Sequence, residues 1–180
     1  MTANRSRYDG VSLSAAAKRT EDGKSFLFSS RLQAANAGGE AHWLVESTNK
    51  TIIVSSRVVT SNGNELEYVA YAGSVITDEG TPINPSPLNI AQSLKSTVKV
   101  HSSPSFSDKG IKLVPSYLPG SAGGFLSPAS GNLYANEQEN VLPPNTRLLL
   151  EVSNSGDVNP ADIELYIVWT EVDDPAPFQS

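Results

Sequence analysis

Ile163-Glu164-Leu165-Tyr166-Ile167-Val168-Trp169-Thr170-Glu171-Val172 decides the fold class of this chain. Side chains alternate across a strand, so Ile163, Leu165, Ile167 and Trp169 share one face while Glu164, Tyr166, Val168 and Thr170 share the other. The first face is wholly apolar. The second is mixed, because Tyr166 and Val168 interrupt it, and a strand of this kind lies centrally or faces a second packing surface. A monomer would need other cover for that apolar remnant, which makes Tyr166 and Val168 the candidate subunit-interface residues.

Working outward from this strand, short runs rich in Val, Ile, Phe, Tyr and Thr alternate with Gly, Asn or Pro punctuation from residue 24 onward. The predicted strands are Ser25–Leu32, His42–Ser47, Thr51–Thr60, Leu66–Thr77, Thr97–His101, Ile111–Val114, Arg147–Ser153 and Ile163–Val172, with Trp43 as a core anchor. Ser61-Asn62-Gly63-Asn64 supplies residues tolerant of positive φ and predicts a hairpin between the third and fourth strands. The loop from Ser153 to Pro160 predicts antiparallel pairing of the last two. The Pro-rich stretch 80–89 and the Gly/Pro-rich stretch 116–131 read as loops or edge segments. A helical pattern is conceivable only over Leu88–Ser96, and no repeat of 20–50 residues is found. The expected fold is all-β, an antiparallel β-sandwich of jelly-roll type with an N-terminal arm: arm 1–23, one sandwich domain 24–172, and a tail 173–180.

The length of 180 residues suffices for a real core without staples, and Ser, Asn, Gly and Pro supply about a third of the chain, which suits turn-rich β structure. The absence of Cys removes disulfides, thiolate metal sites and thiol nucleophiles. A net charge of −6 argues against nucleic acid and against anionic membrane as partners. No secretory h-region and no run of bilayer length is read in the sequence. Charge is nonetheless uneven: residues 1–31 carry a net +3, residues 32–136 a net −1, and residues 137–180 a net −8. The arm's Arg5, Arg7, Lys18 and Arg19 are the candidate contacts to an acidic partner surface; solvated faces are the plainer reading of the same asymmetry.

The search for chemistry is mostly negative. His42 and His101 are the only imidazoles, and neither has a partner at i+2 or i+4 that would set two metal ligands on one face. No nucleophile elbow, dinucleotide fingerprint or P-loop occurs, and Gly120-Ser121-Ala122-Gly123-Gly124 lacks the Lys and the strand-to-helix context that cradle phosphate. Glu65/Glu67, Glu137/Glu139 and Asp173/Asp174 are the carboxylate pairs a glycosidase would require, and chance explains such pairs among 19 acids. No enzyme activity, no catalytic residue, no cofactor and no metal is expected. Tyr8, Tyr68, Tyr71, Tyr117, Tyr134 and Tyr166 keep open an alternative function, a carbohydrate-binding receptor module.

Two blocks carry a family likeness. The first runs from Glu79-Gly80-Thr81-Pro82 through Thr97-Val98-Lys99-Val100-His101-Ser102-Ser103-Pro104 to Asp108-Lys109-Gly110-Ile111-Lys112-Leu113. The second runs from Leu142-Pro143-Pro144-Asn145-Thr146 through Leu148–Asn154 to the strand Ile163–Glu171. Together they span about half the chain and resemble small tailed-bacteriophage virion proteins of the capsid decoration (cement) or head-fibre type. The resemblance implies a homotrimer of β-sandwich subunits on the capsid surface of a virion, made in the host cytoplasm, with the major capsid protein as partner and no catalytic residues. The first third of the chain lies outside it, and there the capsid anchor is expected.

Overall fold

The computed structural model describes residues 22, 24–34, 38–61, 65–91, 94–113, 115–118, 129–132, 140–155 and 160–173. In chain order the strands are β1 (Ser25–Ala34), β2 (Glu40–Glu46), β3 (Thr51–Ser61), β4 (Leu66–Ala72), β5 (Val75–Asp78), β6 (Thr81–Ile83), β7 (Ser86–Pro87), β8 (Lys99–Ser102), β9 (Ser105–Asp108), β10 (Ile111–Lys112), β11 (Ser116–Leu118), β12 (Ala129–Asn132), β13 (Asn140–Leu142), β14 (Arg147–Asn154) and β15 (Ala161–Val172). Every pairing is antiparallel. Sheet I runs β12-β3-β15-β1-β7, with β13 also on β3; sheet II runs β10-β4-β14-β2-β8-β6, with β11 also on β4; β5 and β9 form a separate two-stranded ribbon.

The pairings are nested. β1 pairs with β15, β2 with β14, β3 with β12 and β13, and β4 with β10 and β11, so the chain folds back on itself like one long hairpin. The predicted hairpin between Thr51–Thr60 and Leu66–Thr77 is therefore wrong, since β3 belongs to sheet I and β4 to sheet II. The predicted pairing of the last two strands fails in the same way, with β14 in sheet II and β15 in sheet I. The reason is hydrophobic: Ile52 and Val59 on β3 and Leu66, Tyr68 and Ala70 on β4 are all buried in one core, which opposed sheets satisfy and one flat hairpin does not. The Leu66–Thr77 run also breaks at Gly73 (φ 73°), and the described part of 88–96 holds a turn at Asn89, whose side chain accepts from Ala91 N, where a helix was conceivable.

The inner faces meet as the alternation of β15 predicts. Ile163, Leu165, Ile167 and Trp169 pack with Phe26 and Phe28 of β1 and with Trp43, Leu150 and Val152 of sheet II. The Trp169 ring lies 6.2 Å from both Phe26 and Phe28. Each such side chain contributes roughly 1.5–3 kcal/mol by burial. β15 is central, between β3 and β1. Opposite the Val168/Trp169 junction, Val168 pairs with Ser56 and Trp169 with Val54, so Ser55 is an extra residue. This bulge switches the parity of β3: Val54 and Val59 both reach the core, and Arg57 turns inward, its guanidinium 5.7 Å from the Tyr68 ring. At the end of β15 the buried Glu171 carboxylate accepts from Ser96 Oγ (2.5 Å), Thr97 N (2.9 Å) and Thr97 Oγ1 (2.9 Å), which ties the 96–98 connection to the sandwich.

The insert between β4 and β10 contains a repeat that the sequence search missed. β4-β5-β6 and β8-β9-β10 have the same plan at an offset of 30 residues. A positive-φ residue (Gly73, Ser103) precedes each ribbon strand, and an Asp-x-Gly corner follows it (Asp78-Glu79-Gly80, Asp108-Lys109-Gly110). Each Asp accepts from its Gly amide, at 2.8 and 2.9 Å. The units exchange partners, β6 pairing β8 and β10 pairing β4, while β5 pairs β9. Too few side chains are shared for self-similarity to stand out. A Cβ at Gly80 would collide with the Ser102 and Ser103 backbone, and at Gly110 with that of Ala72, Gly73 and Ser74, at φ of 83° and 82°.

Urea unfolding should therefore rank the glycines. Gly80→Ala and Gly110→Ala should each cost about 2–3 kcal/mol, whereas Gly38→Ala, at φ 80° with nothing within 4 Å, should cost only about 1 kcal/mol. Equal losses at all three would show that the corners are not closely packed.

Candidate functional site

Arg5, Arg7, Lys18 and Arg19 lie outside the described residues. Tyr166 and Val168 stand together on the outer face of sheet I, half-buried, in register with Val58 and Leu27 on the flanking strands. Ile53 and the exposed Val141 extend this apolar row on the same face.

The outer face of sheet II is closed by the ribbon. Ile76 of β5 and Phe106 of β9 pack on Val69, Tyr71 and Leu149 as a second small core. At its margin, alternation points Glu40 and His42 of β2 and Glu151 of β14 the same way, and His42 pairs with Glu151 in register. Lys109, the middle residue of the second Asp-x-Gly corner, reaches down among them. Its Nζ lies 2.6 Å from Glu151 Oε2 and 2.8 Å from Glu40 Oε1. His42 Nε2 lies 3.1 Å from Glu151 Oε2 and 3.3 Å from Glu40 Oε2, and Tyr71 OH donates to Glu151 Oε1 at 3.2 Å. The His42 ring packs edge-on to Phe106 with centroids 4.9 Å apart, and Lys109 Nζ lies 5.9 Å from the Tyr71 and Phe106 rings.

The electrostatics follow from burial against pairing. Burial disfavours the Glu151 charge, yet the His42 and Lys109 hydrogen bonds and the Lys109 charge outweigh it and hold the carboxyl at about 2. Burial also opposes the charge of Lys109, and its hydrogen bonds to Glu151 and Glu40 raise it above the ordinary lysine value nonetheless. Burial, then the Glu151 charge, pushes the Tyr71 hydroxyl up.

The first Asp-x-Gly corner makes the counterpart with the charges reversed. Glu79 takes the place of Lys109 and reaches Arg147 (3.2 Å) and His101 (3.7 Å), and Arg147 Nε donates to Glu46 at 2.7 Å. The ribbon is thus pinned through a cation at one corner and an anion at the other. Among the described residues the buried His101 Nδ1 has no hydrogen-bond partner.

Chemically, Glu40, His42 and Glu151 offer ligand atoms within 4.8 Å of one another, the donor set of a divalent cation site. The Lys109 ammonium already stands on both carboxylates and supplies the compensating charge, so the residues do not fit a resident metal. None of the predicted carboxylate pairs forms this group. The expectation that neither His shares a strand face with a second ligand type fails at Glu40, two residues before His42 on β2, because the predicted strand began at His42 and left Glu40 outside it. Lys109 at a corner was the other signal, and the register that brings Glu151 opposite His42 was not readable. Of the tyrosines held open for sugar stacking, Tyr68 and Tyr71 are buried, Tyr117 is exposed, Tyr166 is half-buried, and Tyr8 and Tyr134 lie outside the described residues. No protein-family model matches the chain, and no curated protein matches it.

The Glu151 carboxyl is depressed from 4.5 to about 2 on folding. Its stabilisation is therefore complete above pH 4.5 and is lost as pH falls toward 2, on the order of 3 kcal/mol. Glu151→Gln should be less stable at pH 7, with a stability profile flatter by that amount between pH 4.5 and 2. Chemical denaturation at stepped pH measures both, and identical slopes in wild type and variant would remove Glu151 from the account.

Proposed function

We propose that the protein is a structural component of a tailed-phage virion, a decoration or cement protein that binds the outside of the capsid as a homotrimer and stabilises the shell. The finer fold we infer is a jelly roll. In support, β1, β2, β3, β4, β11, β12/β13, β14 and β15 follow the order of an antiparallel double strand wrapped into a sandwich, first paired with last, second with seventh, third with sixth and fourth with fifth.

The observation that carries the reading is where the two resembling blocks fall. Glu79-Gly80-Thr81-Pro82, Ser103-Pro104 and Asp108-Lys109-Gly110 form the corners of the ribbon insert. Leu142-Pro143-Pro144-Asn145-Thr146 makes the turn into β14, with Asn145 at φ 57°, its amide donating to Thr48 O, and Thr146 N donating to Ser47 Oγ. The likeness thus resides in residues that the architecture needs together. The ion cluster favours a rigid scaffold over a reactive cleft, because its charged groups bind one another. In this reading Tyr166 and Val168 join subunits, and Arg5, Arg7, Lys18 and Arg19 meet the capsid. A trimer multiplies a modest footprint by effective concentration.

Electron micrographs of capsids mixed with gold-labelled protein test the target: regular decoration is expected, and bare capsids beside bound host cells or glycans would favour the receptor module. Light scattering tests the assembly. A trimer is expected that Tyr166→Glu/Val168→Asp converts to folded monomer, and a wild-type monomer at micromolar concentration would remove the trimer.

A further inference from the structure

Among the described residues, about half of β1 has no strand beside it on the side away from β15. The Ser25 carbonyl accepts from Leu88 N on the β7 side, whereas the Lys24 carbonyl accepts from Glu171 N on the β15 side. In an antiparallel strand the two backbone groups of a residue point the same way, and the direction alternates with each residue. Leu27, Ser29, Arg31 and Gln33 therefore direct N–H and C=O away from β15. β7 lies opposite Phe26 and Leu27 only. Among the described residues nothing pairs with the outward groups of Ser29, Arg31 and Gln33, which leaves three donors and three acceptors in one row. An edge of this kind is a template for an added strand.

We propose that this edge is a docking site for an extended segment, residues 11–17 of a second copy of the chain. Val11-Ser12-Leu13-Ser14-Ala15-Ala16-Ala17 alternates apolar and small polar residues at its start and carries no charge or proline. Added to the edge, Val11, Leu13 and Ala15 extend the inner row of Phe28 and Leu32, and Ser12 and Ser14 follow the outer row of Ser29 and Arg31. The segment's own β1 is the poorer receiver. The chain enters β1 at Ser25, and the place beside Ser25–Leu27, where a hairpin would begin, is held by β7 and Leu88. A β1-to-β1 contact about a two-fold axis at the middle of the row would set Arg31 against Arg31, a like-charge pair. The proposal stands without the virion reading, because it concerns only two copies of this chain.

Because the protein has no cysteine, disulfide mapping on the full chain has no background. Seven single-cysteine chains, from Val11→Cys to Ala17→Cys, are each refolded with an Arg31→Cys chain and oxidised. The expected result is an interchain disulfide at alternate positions of the segment, at least tenfold reduced when the Arg31→Cys chain also carries Gln33→Pro, which removes an outward N–H while sparing the β15 ladder. Hydrogen exchange on the wild type provides the second readout: the Ser29, Arg31 and Gln33 amides should be protected in the assembly and exchange faster on dilution to monomer. No crosslink at any of the seven positions, a crosslink only within one chain when both cysteines are placed together, or fast exchange at all three amides in the undiluted protein would each overturn the proposal. Crosslinking without capsid decoration would overturn the virion reading alone.

Discussion

Every long strand of this protein has one apolar row, and two such rows can be hidden only against each other. That constraint sends β1 to sheet I, β2 to sheet II, β3 back to sheet I and β4 to sheet II. Once consecutive strands cross the sandwich, pairing falls to strands far apart in sequence, which produces the nested order. It also means that few strands are held by a local turn. The loop-closure entropy is recovered only when the core of Trp43, Trp169 and their neighbours forms, so the sandwich should assemble cooperatively and slowly.

The two outer faces are treated differently. Sheet II has Val69, Tyr71 and Leu149 on its outside, and the chain covers them with its own insert. An apolar contact alone would let a two-stranded ribbon slide, and such a ribbon is marginally stable by itself. Lys109 at one corner and Glu79 at the other, each bonded to groups of opposite sign on the sheet, fix its position. Sheet I has a comparable row in Leu27, Val58, Tyr166 and Val168, and no described strand lies over it.

Fold class was legible in the sequence because it depends on alternation, and the β15 faces read from Ile163 to Thr170 are those observed. Pairing was not legible. A turn signal such as Ser61–Asn64 speaks to a change of direction and not to whether the flanking strands share one sheet, and β3 and β4 lie in different sheets. The Ser55 bulge was hidden for a related reason: apart from Arg57, which turns inward, Thr51–Thr60 is apolar or small on both parities, so nothing marks where the parity switches. The ion cluster joins residues from three strands and a corner. Its members were visible one by one, as Glu40 beside His42 and Lys109 inside Asp-x-Gly, but their meeting depends on a register that no local pattern encodes.

Register also changes what the charge asymmetry means. The acidic last quarter of the chain, residues 137–180, reads as a surface that would attract a basic arm. In the fold, Glu151 is buried under Lys109, Glu171 is buried among Ser96 and Thr97, Asp162 meets Arg31 at 2.7 Å, Glu164 accepts from Ser29, and Asp173 stands 3.7 and 3.6 Å from Lys24 and Lys50. Five of the nine acids counted in that segment are thus partnered within the sandwich. The exterior field is correspondingly weaker than the count suggests and is screened further at physiological salt. Long-range attraction alone is therefore a poor anchor for Arg5, Arg7, Lys18 and Arg19. Backbone pairing along an open strand edge does not decay with ionic strength in that way, so an arm that must hold a neighbour gains more from β1 than from the acidic residues beside it.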